Sequence, residues 1–342
     1  MAKVTQISSR KTDHIRINLE EDVQSQISTG LEHYRFTHCA LPELDLVDID
    51  LSLSLFGKWL KAPLLISSMT GGTPEAQIIN QTLARAAQEA QIAIGVGSMR
   101  AAIEHSELVP SFQIRQYAPN VLLFANLGAI QLNYGYGIQE CLRAVEMIEA
   151  DALILHFNAL QEAVQPEGDT RFAGLLSKVE SICHAMPVPV IAKEVGWGFS
   201  KKDVVGLVNA GISAIDVAGA GGTSWSQVEA YRSKDEEQQR LAAAFIDWGI
   251  PTAEAIQIAH KTAPQMVIFA SGGLRSGIDI AKCIALGAEL GGMASPFLKA
   301  ASQSLEKTLK TIEVIQKEIQ ICMFAAGIRN LGQLKEYKLR YS

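Results

Sequence analysis

The chain reads as an α/β protein, a (β/α)8 TIM barrel with an N-terminal extension and a C-terminal helical tract. Three observations predict this. Short apolar, β-rich runs recur eight times, with amphipathic helical patterns between them, the signature of successive βα units. No break in composition interrupts the series, which favours a closed barrel over an open doubly wound sheet. Hydrophobic residues fill 48% of the 342 positions, with only 6% aromatic and 27 glycines, as suits small aliphatic strands joined by tight turns. The expected organisation is one domain over 1–342: an extension over 1–61, a barrel core over 62–298 and a helical extension over 299–342.

The eight expected strands are residues 63–69, 92–96, 121–126, 152–157, 188–193, 214–217, 266–270 and 289–293. Several are apolar throughout, because parallel strands covered on both faces have no wet side. Expected helices run over 75–90, 137–149, 173–185, 201–209, 252–262 and 277–286, and a last helical tract opens at Ala300 and reaches about Gln320. Gly211 and Gly287 each follow a helical run, where a left-handed C-terminal cap favours a residue without Cβ.

A net charge of −6 argues against a nucleic-acid binder, so any anion site must be a local cluster of Arg and Lys. Cys39, Cys141, Cys183, Cys283 and Cys322 show no CxxC or CxxH spacing, which points to reduced thiols rather than zinc or disulfides. The N-terminus is polar and no stretch approaches the ~20 apolar residues of a spanning helix, so the expected location is the cytoplasm, away from membranes.

In a barrel, reactive residues lie where strands end and βα loops begin. The first strand ends in SSMTGG, where Ser68, Met69 and Thr70 precede glycines that let backbone approach a ligand. The second ends in GVGSMR, placing Ser98 and Arg100 at the mouth; the arginine suits an anion or a surface ion pair. Asn126, at the end of the third, offers donor and acceptor to a heterocycle, or simply opens a turn. The fourth continues into HFNALQEAVQPEGD, dense in polar residues: His156, Asn158, Gln161 and Glu162. Gln161 can hydrogen-bond a substrate, and Glu162 supplies a hard oxygen that suits Mg²⁺ when diphosphate oxygens complete the octahedron. His156 steadies an anion or its neighbours, or serves as a structural strand-end histidine.

Lys193 emerges from the apolar fifth strand, and its desolvation calls for an anionic partner. The sixth strand runs into DVAGAGGTSW, whose glycines let backbone N–H groups face a ligand beside Thr223, while Trp225 can cover an apolar or cationic group. After strands seven and eight, the amides of Gly272 and Gly273, the guanidinium of Arg275 and amides near Ala294 and Ser295 could surround a phosphate at a helix N-terminus; the alternative is two ordinary turns. In the N-terminal SSRKTDHI, Arg10 and Lys11 precede His14; such a pair is solvated charge unless the tail folds over the barrel mouth and meets a polyanion.

Together and in order, RKTDHI, SSMTGG, GSMR, HFNALQEAVQPEGD, AKEVGWG, AGAGGTSW and GGLRSG resemble the type 2, FMN-dependent isopentenyl-diphosphate isomerases over residues 10–298. The glycine turns match many FMN barrels, whereas QEAVQPEGD beside SRK and GGTSW is specific. The resemblance implies FMN contacts from Ser68, Met69, Thr70, Ser98, Asn126, Lys193, Thr223, Gly272, Gly273, Arg275, Ala294 and Ser295. It implies diphosphate contacts from Arg10, Lys11, Arg100, His156, Asn158 and Gln161, a Mg²⁺ ligand in Glu162, and catalytic roles for His156, Gln161, Glu162, Lys193 and Trp225. The implied reaction turns isopentenyl diphosphate into dimethylallyl diphosphate without net oxidation, with reduced FMN as acid/base cofactor and NADPH or another reductant keeping it reduced. A homo-oligomer, tetramer or octamer, is implied as well. Ser295 departs from a pattern in which arginine is frequent, and Arg171, Phe172 and Ala173 after PEGD also differ. The nearest alternative is an FMN-dependent oxidoreductase of the hydroxy-acid oxidase or dihydroorotate dehydrogenase type, which shares Lys193 and the phosphate turns but has no use for QEAVQPEGD. A non-catalytic phosphate-binding barrel is the alternative from another class.

Overall fold

In the computed structural model of the protein, the backbone is described from Ala2 to Ser342 and the side chains from Lys11 onward. β1 (Tyr34–Arg35) and the hairpin β2 (Leu53–Leu55) and β3 (Lys58–Leu60) precede the barrel. The barrel strands are β4 (Leu64–Ile66), β5 (Ala93–Gly95), β6 (Leu123–Gly128), β7 (Ala152–Phe157), β8 (Val190–Glu194), β9 (Ala214–Asp216), β10 (Val267–Ala270) and β11 (Leu290–Met293). Among the described residues these eight pair in parallel, each with the next, and β11 returns to β4 to close the sheet. All eight expected strands are present. The first is shorter than expected because residues 67–70 leave the ladder as a loop facing the barrel mouth.

Around the strands stand α1 (Ala2–Glu20), α2 (Pro74–Ala90), α3 (Arg100–Glu104), α4 (Ile138–Ile148), α5 (Ala159–Val164), α6 (Leu175–Ala185) and α7 (Lys201–Asn209). Then come α8 (Trp225–Arg232), α9 (Glu236–Ala243), α10 (Thr252–Thr262), α11 (Gly277–Ala285), α12 (Ser295–Ala301), α13 (Leu305–Ala325) and α14 (Leu331–Glu336). The six expected helices between strands correspond to α2, α4, α6, α7, α10 and α11, each within two residues of its expected ends. Their punctuation works as the residue types dictate: Thr73, Ser200 and Ser276 accept N–H bonds as N-caps, and Gly211 and Gly287 adopt φ of 84° and 117° just past the helix ends.

One expectation needs correction. The last helical tract does not run unbroken from Ala300: α12 starts at Ser295, the chain leaves the helix after Ala301, and Ser304 caps a new helix, α13, that continues to Ala325. The polar N-terminal segment is helical, with Ile15 and Ile17 buried on its inner face. No helix among the described residues is long and apolar enough to cross a membrane. The C-terminal strand β12 (Arg340–Tyr341) pairs with β1.

Inside the barrel, Leu65, Ala93, Phe124, Ile154, Ile191, Ala214, Phe269 and Leu290 pack as one buried cluster, with Phe124 stacked on Phe269 at 5.8 Å. Side chains alternate along a strand, so the residue two positions further points the same way, one layer nearer the mouth. Those residues are Ser67, Gly95, Asn126, His156, Lys193, Asp216, Ser271 and Gly292. The apolar plug is therefore topped by a ring that is small over β10, β11, β4 and β5 and polar or charged over β6 to β9. Strand register brings three of the polar members level, His156 paired with Lys193 and Lys193 with Asp216, while Asn126 pairs one layer lower, with Ile154.

Candidate active site

A cavity of about 860 Å³ opens above this ring at the C-terminal ends of the strands. It is lined by Ser67, Ser68, Met69, Thr70, Ser98, Arg100, Asn126, His156, Asn158, Gln161, Glu162, Lys193, Thr223, Trp225, Gly272, Gly273, Arg275, Ala294 and Ser295, and by Lys11 and His14 from α1. Strand ends and loops far apart in sequence thus meet in one space. Of the residues expected there, the side chain of Arg10 lies outside the described residues.

The floor is held by an internal ion pair. Lys193 Nζ lies 3.3 Å from Asp216 Oδ2, donates to the Glu194 carbonyl at 2.9 Å, and reaches Ser271 Oγ at 3.4 Å. Ser271 in turn donates to Asp216 Oδ1 at 2.6 Å. Asp216 is fully buried, so it is the anionic partner that the desolvated lysine requires. Next to it, Glu194 Oε2 accepts the backbone N–H groups of Val195, Gly196, Trp197 and Gly198, tying the β8 loop to the strand. Burial pushes its carboxyl up to about 7, against the N–H bonds of Trp197, Gly196 and Val195 and the charge of Lys193, which favour the charged form. On the other side of the floor Asn126 Oδ1 accepts from His156 Nδ1 at 2.7 Å, and its amide nitrogen donates to the Val96 carbonyl.

The β7 loop builds the polar wall. Asn158 ends the strand and α5 turns Gln161 and Glu162 back toward the cavity, one helical turn above Asn158. Asn158 Nδ2 donates to Glu162 Oε1 at 2.8 Å, while Gln165 Nε2 and the Asp169 N–H donate to Glu162 Oε2 at 2.6 and 2.7 Å. Asn158 Oδ1 is buried without a partner among the described residues. Arg100 approaches this wall from the β5 loop, bonded through Nε to Glu104 and through NH1 to Asp169, both at 2.8 Å. Burial lowers its pKa, but the two carboxylates outweigh that and hold the guanidinium above its usual value.

α1 covers one side of the mouth. Lys11 Nζ donates to the Ser98 carbonyl at 2.9 Å and sits over the Phe112 ring, and His14 meets the edge of Trp225 at 5.2 Å. His14 Nε2 also lies 3.2 Å from Glu229 Oε1, a residue that sequence reasoning did not single out. Glu229 is buried, accepts from Gln161 at 2.9 Å and pairs with Arg232 at 2.7 Å. Burial raises its carboxyl pKa, yet His14, Arg232 and Gln161 together pull it down to about 2. Trp225 packs with Ile17, Val23 and Val228 against α1, so its indole is part of the mouth's apolar side.

At the expected phosphate end, Gly272, Gly273, Arg275, Ala294 and Ser295 all line the cavity. The N-terminus of α11 is closed by its own residues: Ser276 and Asp279 form a capping box, and Glu318 accepts from the Gly277 N–H at 2.5 Å. Arg275 is exposed and bonded to Gln24 at 2.8 Å. Gly272 and Gly273 press backbone to backbone on residues 219–222, so their lack of Cβ is required by loop packing before any ligand is considered. Similarly, a Cβ at Gly97 would lie 2.6 Å from the Thr70 carbonyl oxygen. The first amides of α12, beside Ala294 and Ser295, are the helix N-terminus that faces the cavity.

These residues fit a flavin mononucleotide. Ser67 Oγ and Ser68 Oγ are buried polar atoms without a partner among the described residues, on the small side of the floor, across the barrel from Lys193. Glycine turns and the α12 amides supply donors for a phosphate. For Mg²⁺ the fit is conditional: no cluster of three or more His, Cys, Asp or Glu among the described residues is placed to hold a metal ion. Glu162 is one carboxylate whose oxygens already accept three N–H bonds, so it suits Mg²⁺ where substrate oxygens and water supply the rest of the octahedron.

Comparison with known proteins places the chain. A family model described as FMN-dependent dehydrogenase matches residues 152–341. An isopentenyl-diphosphate delta-isomerase of a Nostoc species is 57% identical over 96% of this chain and 95% of its own length. Those of a Synechocystis species and of Rickettsia bellii are 54% and 48% identical, over 96% and 97% of this chain and 95% and 97% of theirs. Among solved structures, a mandelate oxidase with a monooxide FMN adduct matches at a TM-score of 0.66 and 16% identity, over 99% of this chain and 100% of its own. A putative lactate oxidase of Pediococcus acidilactici gives 0.66 and 15%, over 100% and 94%. At that identity the oxidases share the fold, whereas the nearly full-length relatives set the family: the chain belongs to the FMN-dependent dehydrogenase family and, within it, to the isopentenyl-diphosphate delta-isomerases.

Proposed function

We propose that this protein converts isopentenyl diphosphate to dimethylallyl diphosphate, with FMN and Mg²⁺ bound and no net oxidation of the substrate. The observation that carries the reading is the β7 wall, where Asn158, Gln161 and Glu162 face the same cavity as Lys193 and Asn126. A redox barrel needs the floor and the phosphate turns; it has no need of a second, diphosphate-sized polar wall.

Ser68, Met69, Thr70, Ser98, Asn126, Lys193, Thr223, the turn of Gly272, Gly273 and Arg275, and the amides at Ala294 and Ser295 would hold FMN. When bound and reduced, FMN supplies acid/base chemistry, and NADPH or another reductant keeps it in that form. Lys193, fixed by Asp216, carries positive charge at the floor. Lys11, Arg100, His156, Asn158 and Gln161 bind and orient the diphosphate, with Arg10 joining them, and Glu162 with Mg²⁺ fixes its direction. Trp225, packed under α1, keeps water from the isoprenyl tail. We assign the protein to the cytoplasm and to a homo-oligomer, and a solution mass checks the latter.

The test is incubation of the purified protein with isopentenyl diphosphate, FMN, Mg²⁺ and a reductant, with product identified by chromatography. Dimethylallyl diphosphate formed catalytically, with no substrate-driven bleaching of oxidised FMN, is the expected result. Flavin reduction by the substrate would favour the oxidoreductase instead, and unchanged substrate with flavin bound would favour the non-catalytic barrel.

A further inference from the structure

We infer that Asp169 is a positioning residue that couples the anion-binding and metal-binding ends of the site; the inference rests on the function proposed above. Asp169 does not line the cavity but stands behind its wall. Its Oδ2 accepts from Arg100 NH1 at 2.8 Å and from Gln131 Nε2 at 3.0 Å, and its backbone N–H donates to Glu162 Oε2 at 2.7 Å. Arg100, Gln131 and Glu162 all line the cavity, and they come from the loops after β5, β6 and β7, three neighbouring strands. Other bonds join these loops pairwise, Tyr136 to Glu104 and Asn133 to the Arg171 and Ala173 carbonyls, but Asp169 bonds directly to a cavity-lining residue of all three.

The link is stiff. Gly168 lies so close to the backbone of Glu162 that a Cβ there would overlap the Glu162 carbonyl, which fixes the Asp169 N–H over the carboxylate. Arg100 is gripped on two edges, Nε by Glu104 and NH1 by Asp169. Two carboxylates on one guanidinium offset its net charge, so its contribution to a diphosphate is an oriented N–H donor more than a long-range field. Orientation of that donor, and of the metal-binding carboxylate, passes through the same short piece of chain. Removing the Asp169 side chain frees Arg100 and Gln131 and loosens the loop that carries the N–H to Glu162.

The test uses the FMN-loaded enzyme with Asp169→Ala and Asp169→Asn. In the Ala variant the KM for isopentenyl diphosphate and the activation constant for Mg²⁺ both rise about tenfold, while kcat at saturation of both stays within about threefold. Calorimetric binding of inorganic pyrophosphate at saturating Mg²⁺ weakens by about tenfold as well. Asp169→Asn, which keeps an acceptor oxygen and the backbone N–H, returns both constants to within about threefold of the unsubstituted enzyme. Flavin absorbance and thermal midpoint stay unchanged in the Asn variant. A rise in only one of the two constants, or an Asn variant no better than Ala, overturns the inference while leaving the proposed function standing. Unsubstituted enzyme that turns over without any Mg²⁺ dependence overturns the reading on which the inference rests, and the inference with it.

Discussion

Replacing Glu229 by glutamine removes the charge at the centre of the contact between α1 and the β7 wall. The side chain is 1% exposed and meets His14, Gln161 and Arg232 within 3.2 Å. Holding a carboxyl at about 2 rather than 4.5 is worth about 3 kcal/mol at neutral pH, at ~1.4 kcal/mol per tenfold. Removing one partner of a buried ion pair costs roughly 3–5 kcal/mol, and glutamine retains the volume and one acceptor, so the lower figure applies. A depressed carboxyl pKa contributes stability that is complete above the unfolded value and lost as pH falls through the folded one. Urea unfolding of both proteins should therefore differ by about 3 kcal/mol at pH 7, nearly as much at pH 4.5, and only ~1.5 kcal/mol at pH 3. A difference below about 1 kcal/mol at pH 7, or one undiminished at pH 3, would refute the reasoning.

Glu194 has the opposite sign. With its carboxyl raised to about 7, its contribution is most favourable at low pH and declines as pH rises from 4.5 toward 7, so the gap in stability between the native protein and Glu194→Gln, followed by urea titration, should move against the native protein over that window. Lys193→Met leaves Asp216 buried without its cation and should cost roughly 3 kcal/mol in thermal unfolding, with much of the loss recovered by adding Asp216→Asn; no recovery would mean that the pair is not the source. Gly97→Ala places a Cβ against the Thr70 carbonyl and should cost about 1–3 kcal/mol and weaken FMN retention on gel filtration. Full stability and full flavin content would show that the 67–70 loop gives way freely.

The strands were legible because a parallel barrel buries both faces, so each strand appears as an apolar run with chemistry at its end. Asn126, His156 and Lys193 stood out for that reason. Asp216 and Ser271 obey the same rule, each two residues beyond a buried interior side chain, Ala214 and Phe269. They read only as the opening letters of glycine turns, and the two-residue alternation was the signal that could have found them. Glu229 carried no local signal: its meaning comes from His14, more than 200 positions away, and from Gln161 on another loop. The N-terminal segment reads as solvated charge or as a tail folding over the barrel mouth, and its polarity alone gives no signal to choose between them; it packs because Ile17 meets Val23 and Val228. The spacing Ser276-x-x-Asp279 was a legible sign that α11 would cap its own first turn, which leaves the preceding Gly272–Gly273 turn, not that helix end, as the cavity-lining part.

The fold does not decide between oxidation and isomerisation, since oxidases 16% identical share it across the whole chain. What the side chains can do with a proton narrows the choice. A general base works best with a pKa near the operating pH. Glu229, behind Gln161, is held at about 2 and is a poor proton acceptor at neutral pH. Both oxygens of Glu162 are occupied by N–H donors, and Asp216 is committed to Lys193 and Ser271. Glu194 is raised to about 7, but it does not line the cavity and its Oε2 is taken by four backbone N–H groups. The other buried carboxylates here, Glu162, Asp216 and Glu229, are thus arranged as structural anions that orient Asn158, Lys193, Gln161 and Arg232. Amide and cationic groups make up most of the polar wall, which suits binding and aiming a diphosphate better than moving a proton from carbon. A site so built leaves the proton to the cofactor, the role proposed above for reduced FMN, in which the enzyme oxidises nothing.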